Sequence, residues 1–276
     1  MIKRNVAIIG NGVYGTALAF LFGKKHDITV FGRDIKNESE FPISDFGKQI
    51  KHFDYLIISI TTRGLTDLLP RIYQNISTDT HVIIAMKGLT SSGLLPVEEC
   101  QKLLPNHQIS VLSGPGFAEE IVAGIPVHLV LAGKNFSEDE EEDFLLDSLT
   151  LDFSDDIIGV SWCGVLKNIY AIGAGIASKN EEFDRSSFTR DAVHEMASIL
   201  VNLGGSPESA HGPAGRGDMW ICTTIHSRNF RFGRGEHSLR DQAEGYNALI
   251  NFQERFPHIF EGTNFPILTS IRKTIL

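Results

Sequence analysis

The sequence predicts an α/β protein in which a mostly parallel sheet domain is followed by an all-helical domain. In the first half, short and nearly continuous apolar runs alternate with helix-length segments, a pattern typical of strands buried on both faces of a parallel sheet. After about residue 160 the strand signals stop and the apolar residues recur at helical spacing. We therefore predict a first domain over 1–160 and a second over 161–276, which 276 residues are sufficient to build.

The predicted elements follow in order along the chain. Five apolar, β-branched runs predict strands, namely NVAIIG (5–10), DITVFG (27–32), DYLIISI (54–60), THVIIAM (80–86) and ISVLSG (109–114). Two more are candidates for further strands, VHLVLAG (127–133) and DIIGVSW (156–162). Helical periodicity in the second half predicts helices over 163–178, 186–204 and about 239–256, with another near the C-terminus.

Composition and charge exclude several classes of protein. The formal charge of −9, from 34 acidic and 25 basic residues, argues against a nucleic-acid partner. The three cysteines are far apart and show no metal-ligand spacing, so we expect neither a disulfide framework nor a metal site. The acidic run SEDEEEDF (137–144) is predicted to be a solvated helix start.

The ends of the chain and its most apolar stretch indicate a cytoplasmic location. The N-terminus runs directly into the first predicted strand, which leaves no room for a signal peptide. Residues 157–178 come closest to a membrane span, but Lys167 and three glycines count against one. We therefore expect a cytoplasmic protein without a membrane span.

A glycine-rich turn predicts dinucleotide binding. Gly10, Gly12 and Gly15 match G-x-G-x-x-G directly after the first strand and before a helix. In this motif the first glycine makes a tight turn, the second lets a pyrophosphate approach the backbone, and the third packs the helix against the strand. The position of the pattern therefore predicts a Rossmann-type domain.

The end of the second predicted strand bears on the choice of cofactor. An NAD-preferring site places an acidic residue there, whereas this chain has Arg33, followed by Asp34. Because arginine suits the extra phosphate of NADP, the sequence favours NADP over NAD. The alternative is that Arg33 is a surface residue and Asp34 binds the ribose.

Further polar residues stand where ligands bind in α/β proteins. Lys87 follows an apolar strand at the carboxyl edge of the sheet, and Gly114, Pro115 and Gly116 form a tight turn after another strand. In the second half, Asp218 precedes an apolar segment, where its default role is a helix cap. A basic cluster around Arg228 and Asn229, with two more arginines nearby, indicates an anion site.

Lys167 is the one charged residue between Asp156 and Lys179, in a predicted buried helix with no acidic neighbour at helical spacing. One interpretation is that its methylene groups cover apolar neighbours while its ammonium reaches the surface. The other is that the ammonium acts in catalysis.

Together these residues resemble the soluble NAD(P)-dependent glycerol-3-phosphate dehydrogenases. The resemblance covers nearly the whole chain as ordered blocks, namely GNGVYGTALA, AMKG, LSGPGFAEE, IIGVSWCGVLKNIYAIGAG, GRGD, SRNFRFG and AEG. It implies a Rossmann domain followed by a helical domain, and reversible hydride transfer between NAD(P)H and dihydroxyacetone phosphate to give sn-glycerol 3-phosphate, a glycerophospholipid precursor. It also implies a homodimer and a small phosphorylated substrate.

The resemblance assigns roles to individual positions. Lys167 is similar to the family's catalytic acid/base, Asn168 to its partner, and Lys87 to the lysine that polarises the substrate beside the nicotinamide. The implied substrate contacts are Lys87, Gly114, Gly116, Asp218, Ser227, Arg228 and Asn229. The implied cofactor contacts are Gly10, Gly12, Val13, Tyr14, Gly15, Arg33, Lys87, Ala118, Arg228 and Glu244.

The chain departs from the family pattern at several points. Gly116 stands where the family usually has serine or threonine, and the spacing from Asp218 to Arg228 is one residue short, so that Cys222 or Thr223 replaces a usual threonine. These departures keep two alternatives open. One is a related dehydrogenase of another small β-hydroxy acid or phosphorylated ketone, and the other is a dinucleotide-binding sensor without turnover.

The chemistry of ketone reduction predicts what Lys167 would do. As hydride reaches the carbonyl carbon, negative charge grows on the oxygen, where an ammonium stabilises it and donates a proton. For the reverse reaction a pKa of about 7–8 would be better suited than the usual value of about 10.4. Burial and a second cation, Lys87, predict such a lowered pKa for Lys167.

Overall fold

The computed structural model describes residues 3–35, 40–47, 52–261 and 264–276, and divides the chain into two compact units. The first unit comprises Met1–Met86 and Leu94–Asp155, and the second comprises Lys87–Gly93 and Asp156–Leu276. Lys87 therefore belongs to the helical second unit, although the strand that precedes it belongs to the first.

The first unit is built on one sheet that has eight strands within the described residues. The strand order is β3-β2-β1-β4-β5-β6-β7-β8, and all neighbours are parallel except β6 and β7. The strands are β1 (Asn5–Ile9), β2 (Asp27–Gly32), β3 (Glu40–Pro42), β4 (Tyr55–Ile58), β5 (His81–Ile84), β6 (Ile109–Ser113), β7 (Val127–Ala132) and β8 (Leu149–Ser154). This mostly parallel order confirms the predicted Rossmann-type sheet.

Helices connect the strands of the first unit. They are α1 (Val13–Phe22), α2 (Leu65–Tyr73), α3 (Pro96–Leu103), α4 (Ala118–Val122) and α5 (Glu138–Asp143). α1 and α4 pack on one face of the sheet, where Leu18 and Phe22 lie with Ile8 and Leu129 in a fully buried core. Strands β1, β4 and β5 are buried along almost their whole length, which explains their continuous apolar runs.

The sequence does not predict strands β3 and β8, and the strand predicted over 156–162 is wrong. β3 has three residues and β8 includes the polar Thr150 and Asp152, so neither shows a continuous apolar run. DIIGVSW does not form a strand, because the Asp156 carboxylate caps a helix there and accepts a hydrogen bond from the Gly159 N–H at 2.9 Å. Ile157, Val160 and Trp162 are buried and Ile158 is half-buried, so the apolar run shows no clear helical period.

The second unit is organised around one buried helix. Its helices are α6 (Ile157–Ala177), α7 (Arg185–Asn202), α8 (Glu208–His211), α9 (Asp218–Cys222), α10 (Arg228–Arg234), α11 (Glu244–Arg255) and α12 (Pro266–Ile275). α6 packs against α7, α9, α10, α11 and α12. The described strands all lie in the first unit, which confirms the predicted helical character of the second half.

Helix α6 is the one described helix that is long and apolar enough to cross a membrane. Of its most apolar 18-residue stretch, 89% is buried inside the protein. Its composition is therefore explained by its central position in the second unit, and it carries Lys167 into that interior.

Candidate functional site

Lys167 lies in the middle of α6 and is paired with an acidic residue distant in sequence. The Lys167 ammonium lies 3.3 Å from one carboxylate oxygen of Asp218, and the Lys87 ammonium lies 2.5 Å from the other. The Lys167 side chain is 7% exposed and that of Asp218 2%, whereas the Lys87 side chain is 21% exposed. One buried carboxylate thus joins two ammonium groups within the second unit.

This arrangement corrects the prediction for Asp218 and excludes the surface interpretation of Lys167. Asp218 is the first residue of α9 and makes no side-chain cap; it binds the two lysines instead. Lys167 has no acidic neighbour on its own helix, but α9 provides one from 51 residues away. Its ammonium is buried rather than extended to the surface.

The charges of the cluster determine how its groups ionise. Burial opposes the charged form of Lys167, but Asp218 and Cys222 outweigh it, so that the pKa of Lys167 is raised above its usual value. Burial likewise opposes ionisation of Asp218, but Lys167 and Lys87 outweigh it and the pKa of Asp218 is lowered. The predicted lowering of the Lys167 pKa is therefore wrong, because the sequence did not show that Asp218 lies beside it.

Cys222 completes this cluster at the end of α9. The Lys167 ammonium donates to the Cys222 sulfur at 3.1 Å, and the thiol donates to Asp218 at 3.7 Å. Burial raises the pKa of the Cys222 thiol, which keeps it protonated as this donation requires. Thr223 instead donates to the Trp220 carbonyl, so it is Cys222 that takes part in the site.

A network of side-chain amides lies next to Lys167 along α6. Asn168 accepts a hydrogen bond from Asn229 at 3.0 Å and donates to the Glu244 carboxylate at 3.3 Å. Asn229 in turn accepts from the Gly245 N–H at 2.9 Å. α11 approaches α6 this closely because residue 245 is glycine, where an added Cβ would lie 2.3 Å from the Asn168 carbonyl. The Asn168 amide is thus held from both α10 and α11.

The predicted anion-binding residues occupy the start of α10. Ser227 caps the helix by accepting from the Phe230 N–H, and Arg228 is its first residue, exposed and without an ion pair among the described residues. Arg231 forms a surface ion pair with Glu236 at 2.5 Å and so does not add to a free basic cluster. The guanidinium of Arg228 is therefore accessible at the surface of the second unit.

The glycine-rich turn of the first unit has the geometry of a phosphate cradle. A Cβ added to Gly10 would lie 2.0 Å from the carbonyl oxygen of Ser59. A Cβ added to Gly15 would lie 1.9 Å from the carbonyl oxygen of Gly10. At Gly12 an added Cβ would meet nothing within 4 Å, so the backbone there is open to a ligand. Two glycines are thus required by close packing and the third leaves room for a pyrophosphate, which fits a nicotinamide dinucleotide.

The predicted neighbours of this cradle lie at the start of α1 and directly beyond β2. Val13 begins α1 and is 71% exposed, and Tyr14 follows it half-buried. Arg33 and Asp34 are exposed directly beyond β2, and Arg33 has no ion pair among the described residues. Sequence analysis did not single out Asn11. Its side-chain amide donates hydrogen bonds to the backbone carbonyl of Asp34, just beyond β2, and to the Glu40 carboxylate at the start of β3.

The turn after β6 differs at its two glycines. Gly114 has a φ of +128°, and an added Cβ would lie 2.9 Å from the His128 carbonyl oxygen. At Gly116 the contacts of an added Cβ begin at 3.6 Å, an ordinary distance. Ala118 begins α4 behind this turn. Gly114 is therefore required by the backbone, whereas position 116 has room for a serine.

The structure groups the predicted residues by unit. Lys87, Lys167, Asn168, Asp218, Ser227, Arg228, Asn229 and Glu244 lie in the second unit, and Gly10, Gly12, Val13, Tyr14, Gly15, Arg33, Gly114, Gly116 and Ala118 lie in the first. Sequence reasoning missed the contact of Cys222 with Lys167, which the four-residue spacing from Asp218 could have indicated. Over the described residues, no group of three or more histidine, cysteine or acidic side chains could hold a metal ion.

Comparison with known proteins identifies the family. Residues 41–139 match the model of the NAD-dependent glycerol-3-phosphate dehydrogenase N-terminus, and residues 156–275 match that of the C-terminus. A glycerol-3-phosphate dehydrogenase of Agrobacterium fabrum that uses NAD(P)+ is 30% identical, over 86% of this chain and 82% of its own. One from Clostridium acetobutylicum is 29% identical, over 98% of this chain and 92% of its own.

Solved structures agree with this result. The glycerol-3-phosphate dehydrogenase of Coxiella burnetii superposes with a TM-score of 0.84 at 25% identity, over 99% of this chain and 94% of its own. That of Saccharomyces cerevisiae has the same fold, with a TM-score of 0.82 at 16% identity, over 99% of this chain and 96% of its own. The fold and the cradle thus define a nicotinamide-dependent oxidoreductase. Within that class, the chain belongs to the NAD-dependent glycerol-3-phosphate dehydrogenase family, as the resemblance predicted, and its cofactor is NAD or NADP.

Proposed function

We propose that this enzyme reduces dihydroxyacetone phosphate to sn-glycerol 3-phosphate, a glycerophospholipid precursor, and that NADPH is its preferred hydride donor. Membership of the family supports the reaction. The observation that supports the assignment of catalytic residues is the buried Lys167 ammonium, which Asp218 joins to Lys87. The exposed Arg33 beyond β2 supports NADPH.

Lys167 is the proton donor of this proposal. Reduction of the ketone requires a proton on the carbonyl oxygen as hydride from the nicotinamide reaches the carbon. Because Asp218 keeps the pKa of Lys167 above its usual value, the ammonium is charged at neutral pH and can donate. In the low-dielectric interior a positive charge also stabilises the developing oxyanion more than it would in water.

The two other charged groups of the cluster position the donor and the substrate. Asp218 holds Lys167 and Lys87 from opposite oxygens of one carboxylate, which fixes both ammonium groups. Lys87 is the more exposed of the two and would polarise the substrate carbonyl. Asn168 is held by Asn229 and Glu244 and would orient the substrate beside Lys167.

The phosphate group of the substrate is assigned to the start of α10. Arg228 presents an exposed guanidinium that forms no ion pair with the residues the structure describes; the guanidinium fork matches a phosphate, and Ser227 and Asn229 flank it. Gly114 and Gly116 are the further substrate positions that the family resemblance implies.

The cofactor is assigned to the first unit's cradle and its neighbours. Gly10, Gly12 and Gly15 would hold the pyrophosphate at the start of α1, and Arg33 would bind the 2′-phosphate of NADPH. The family resemblance adds Val13, Tyr14, Lys87, Ala118, Arg228 and Glu244 as cofactor contacts.

The family resemblance also implies a cytoplasmic homodimer. Size-exclusion chromatography with light scattering tests this assignment, and a monomer at assay concentration would contradict it.

The test of the proposal is a steady-state assay. Addition of dihydroxyacetone phosphate to the protein and NADPH should cause oxidation of the cofactor, with a lower kcat/KM for NADH. Lys167→Ala should lower kcat about 10²–10⁴-fold, the usual contribution of a positioned acid, while cofactor affinity stays unchanged. Lys179→Ala, at an exposed lysine after α6, is the matched control and should keep full activity. Near-normal turnover by Lys167→Ala would contradict the role of Lys167.

A further inference from the structure

The Lys167 ammonium has a second polar contact besides the carboxylate of Asp218. Its nitrogen lies 3.3 Å from Oδ1 of Asp218 and 3.1 Å from Sγ of Cys222. The Cys222 sulfur in turn lies 3.7 Å from the same Oδ1 atom. These three atoms therefore form a closed triangle, of which two corners belong to α9 and the third to α6.

The triangle lies in the interior of the second unit, where the side chains of Lys167, Asp218 and Cys222 are all buried. Asp218 is the first residue of α9 and Cys222 is the last. Side chains four positions apart lie on the same face of a helix, one turn from each other. One face of α9 thus presents a carboxylate and a thiol to a single ammonium.

A lysine ammonium needs more than one contact to be held in a fixed direction. It is carried on a flexible four-carbon stem, so a contact with Asp218 alone lets it swing about the carboxylate oxygen. A proton donor must lie within hydrogen-bond reach of the substrate oxygen, and a misplacement of about 1 Å lowers a rate by about 10²-fold. The contact with Cys222, one turn further along α9, restricts this movement of Lys167.

The protonation state of Cys222 suits this role. Burial raises the pKa of its thiol, which therefore stays neutral at neutral pH. A neutral thiol donates its hydrogen to Asp218 and accepts from the Lys167 ammonium through the sulfur. Cys222 thus contacts both charged groups and adds no second negative charge to that of Asp218.

From this geometry we infer that Cys222 is a positioning residue, which fixes the direction of the Lys167 ammonium and thereby sets the rate of proton transfer to the substrate. The inference deepens the proposed function and rests on the role of Lys167 as proton donor. Asp218 supplies the charge that keeps Lys167 protonated, and Cys222 supplies the second point of contact. Because Cys222 acts through Lys167, its removal should affect turnover and not binding.

The test compares turnover, binding and pH dependence in Cys222→Val, which removes both hydrogen bonds and keeps an apolar side chain of similar size. kcat for dihydroxyacetone phosphate reduction should fall at least tenfold, whereas KM for this substrate and Kd for NADPH should change less than threefold. Loss of a hydrogen bond to the ammonium also lowers the pKa of Lys167, so the alkaline limb of kcat should move to lower pH by about 1 unit. A loss of packing alone would not move this limb.

Two further variants test whether hydrogen bonding to Lys167 is the cause. Cys222→Ser keeps a donor and an acceptor at this position and should have a kcat within threefold of the native enzyme. In a Lys167→Ala background, Cys222→Val should change the residual kcat less than twofold, because no ammonium is left to position. Should Cys222→Val not fold, Cys222→Ala replaces it with the same expected results.

A control and the remaining outcomes separate this inference from the proposed function. Cys100→Val makes the same change at a fully buried thiol on α3 and should leave kcat and the alkaline limb unchanged. A native kcat with an unmoved limb in Cys222→Val would overturn the role of Cys222, as would a Cys222→Ser enzyme as slow as Cys222→Val. An equal loss with and without Lys167 would also overturn it. Near-normal turnover by Lys167→Ala would instead show that Lys167 is not the proton donor, which contradicts the proposed function itself.

Discussion

The Asp218→Asn substitution tests how the catalytic lysine is controlled. Asparagine has nearly the same shape as aspartate but carries no charge, and Asp218 lies 3.3 Å from the Lys167 ammonium. With an effective dielectric constant of about 20, Coulomb's law gives about 5 kcal/mol for unit charges at this separation. At 1.36 kcal/mol per pH unit, this attraction is sufficient to move a titration by more than about 2 pH units.

The sign of the effect follows from the cause of the raised pKa. In the native enzyme Asp218 outweighs the burial that disfavours the charged lysine. Without that charge, burial and the nearby Lys87 both lower the pKa of Lys167. Reduction requires the ammonium, so kcat falls as the pH rises through this pKa. The alkaline limb of kcat should therefore move to lower pH by at least about 2 units in the variant.

The assay is kcat for dihydroxyacetone phosphate reduction between pH 6 and 11, measured at saturating substrate so that weaker binding does not obscure the limb. Asp191→Asn, which removes a surface carboxylate paired with Arg190, is the matched control and should leave the limb in place. An active Asp218→Asn enzyme with an unchanged limb would refute the control of Lys167 by Asp218.

Three further predictions concern stability and the turn after β6. A carboxylate oxygen of Glu140 lies 3.0 Å from Nδ1 of His81. Burial opposes ionisation of Glu140, but this contact and the hydrogen bonds to Ser137 outweigh it and lower the pKa of Glu140 to about 2. The free energy of unfolding should therefore fall by about 2 kcal/mol, after solvent screening, as the pH drops from about 4.5 to 2. Acid denaturation of Glu140→Gln should not show this loss. Gly116→Ser should leave the melting temperature unchanged, because an added Cβ there meets only ordinary contacts. Gly114→Ala should lower the melting temperature, with a loss of at least about 1 kcal/mol in the free energy of unfolding, because the φ of Gly114 is positive. Equal melting temperatures for the two variants would contradict this contrast. Glu195→Ala should destabilise the protein by about 3 kcal/mol in urea unfolding. The Glu195 carboxylate accepts hydrogen bonds from a tyrosine hydroxyl and from two backbone N–H groups at the start of α12, and the variant leaves all three donors without it. A loss below about 1 kcal/mol would show that these donors find other partners.

The acidic run 137–144 shows where composition is insufficient. It was predicted to be a solvated helix start, and Ser137 does cap α5. Asp143, however, is buried and accepts bonds from Tyr55 and Arg4 at 2.7 Å each. A charge run does not reveal which of its members point inward, because the partners come from elsewhere in the chain.

By itself, the sequence determined the parts of this protein that depend on local pattern. Alternating apolar runs predicted the buried parallel strands, three glycines at fixed spacing predicted the cradle, and ordered motifs predicted the family. Each of these is a property of neighbouring residues, which backbone geometry and hydrophobic burial translate directly into structure.

Tertiary structure alone decided the electrostatics of the site. Lys167 has no acid within its own helix, and only the packing of α9 against α6 brings Asp218 and Cys222 to it. In the same way, Asn11 meets Glu40 only because β3 pairs with β2. A charge–charge or hydrogen-bond energy depends on distance in space, and no local period in the chain encodes the distance between residues that are 29 or 51 positions apart.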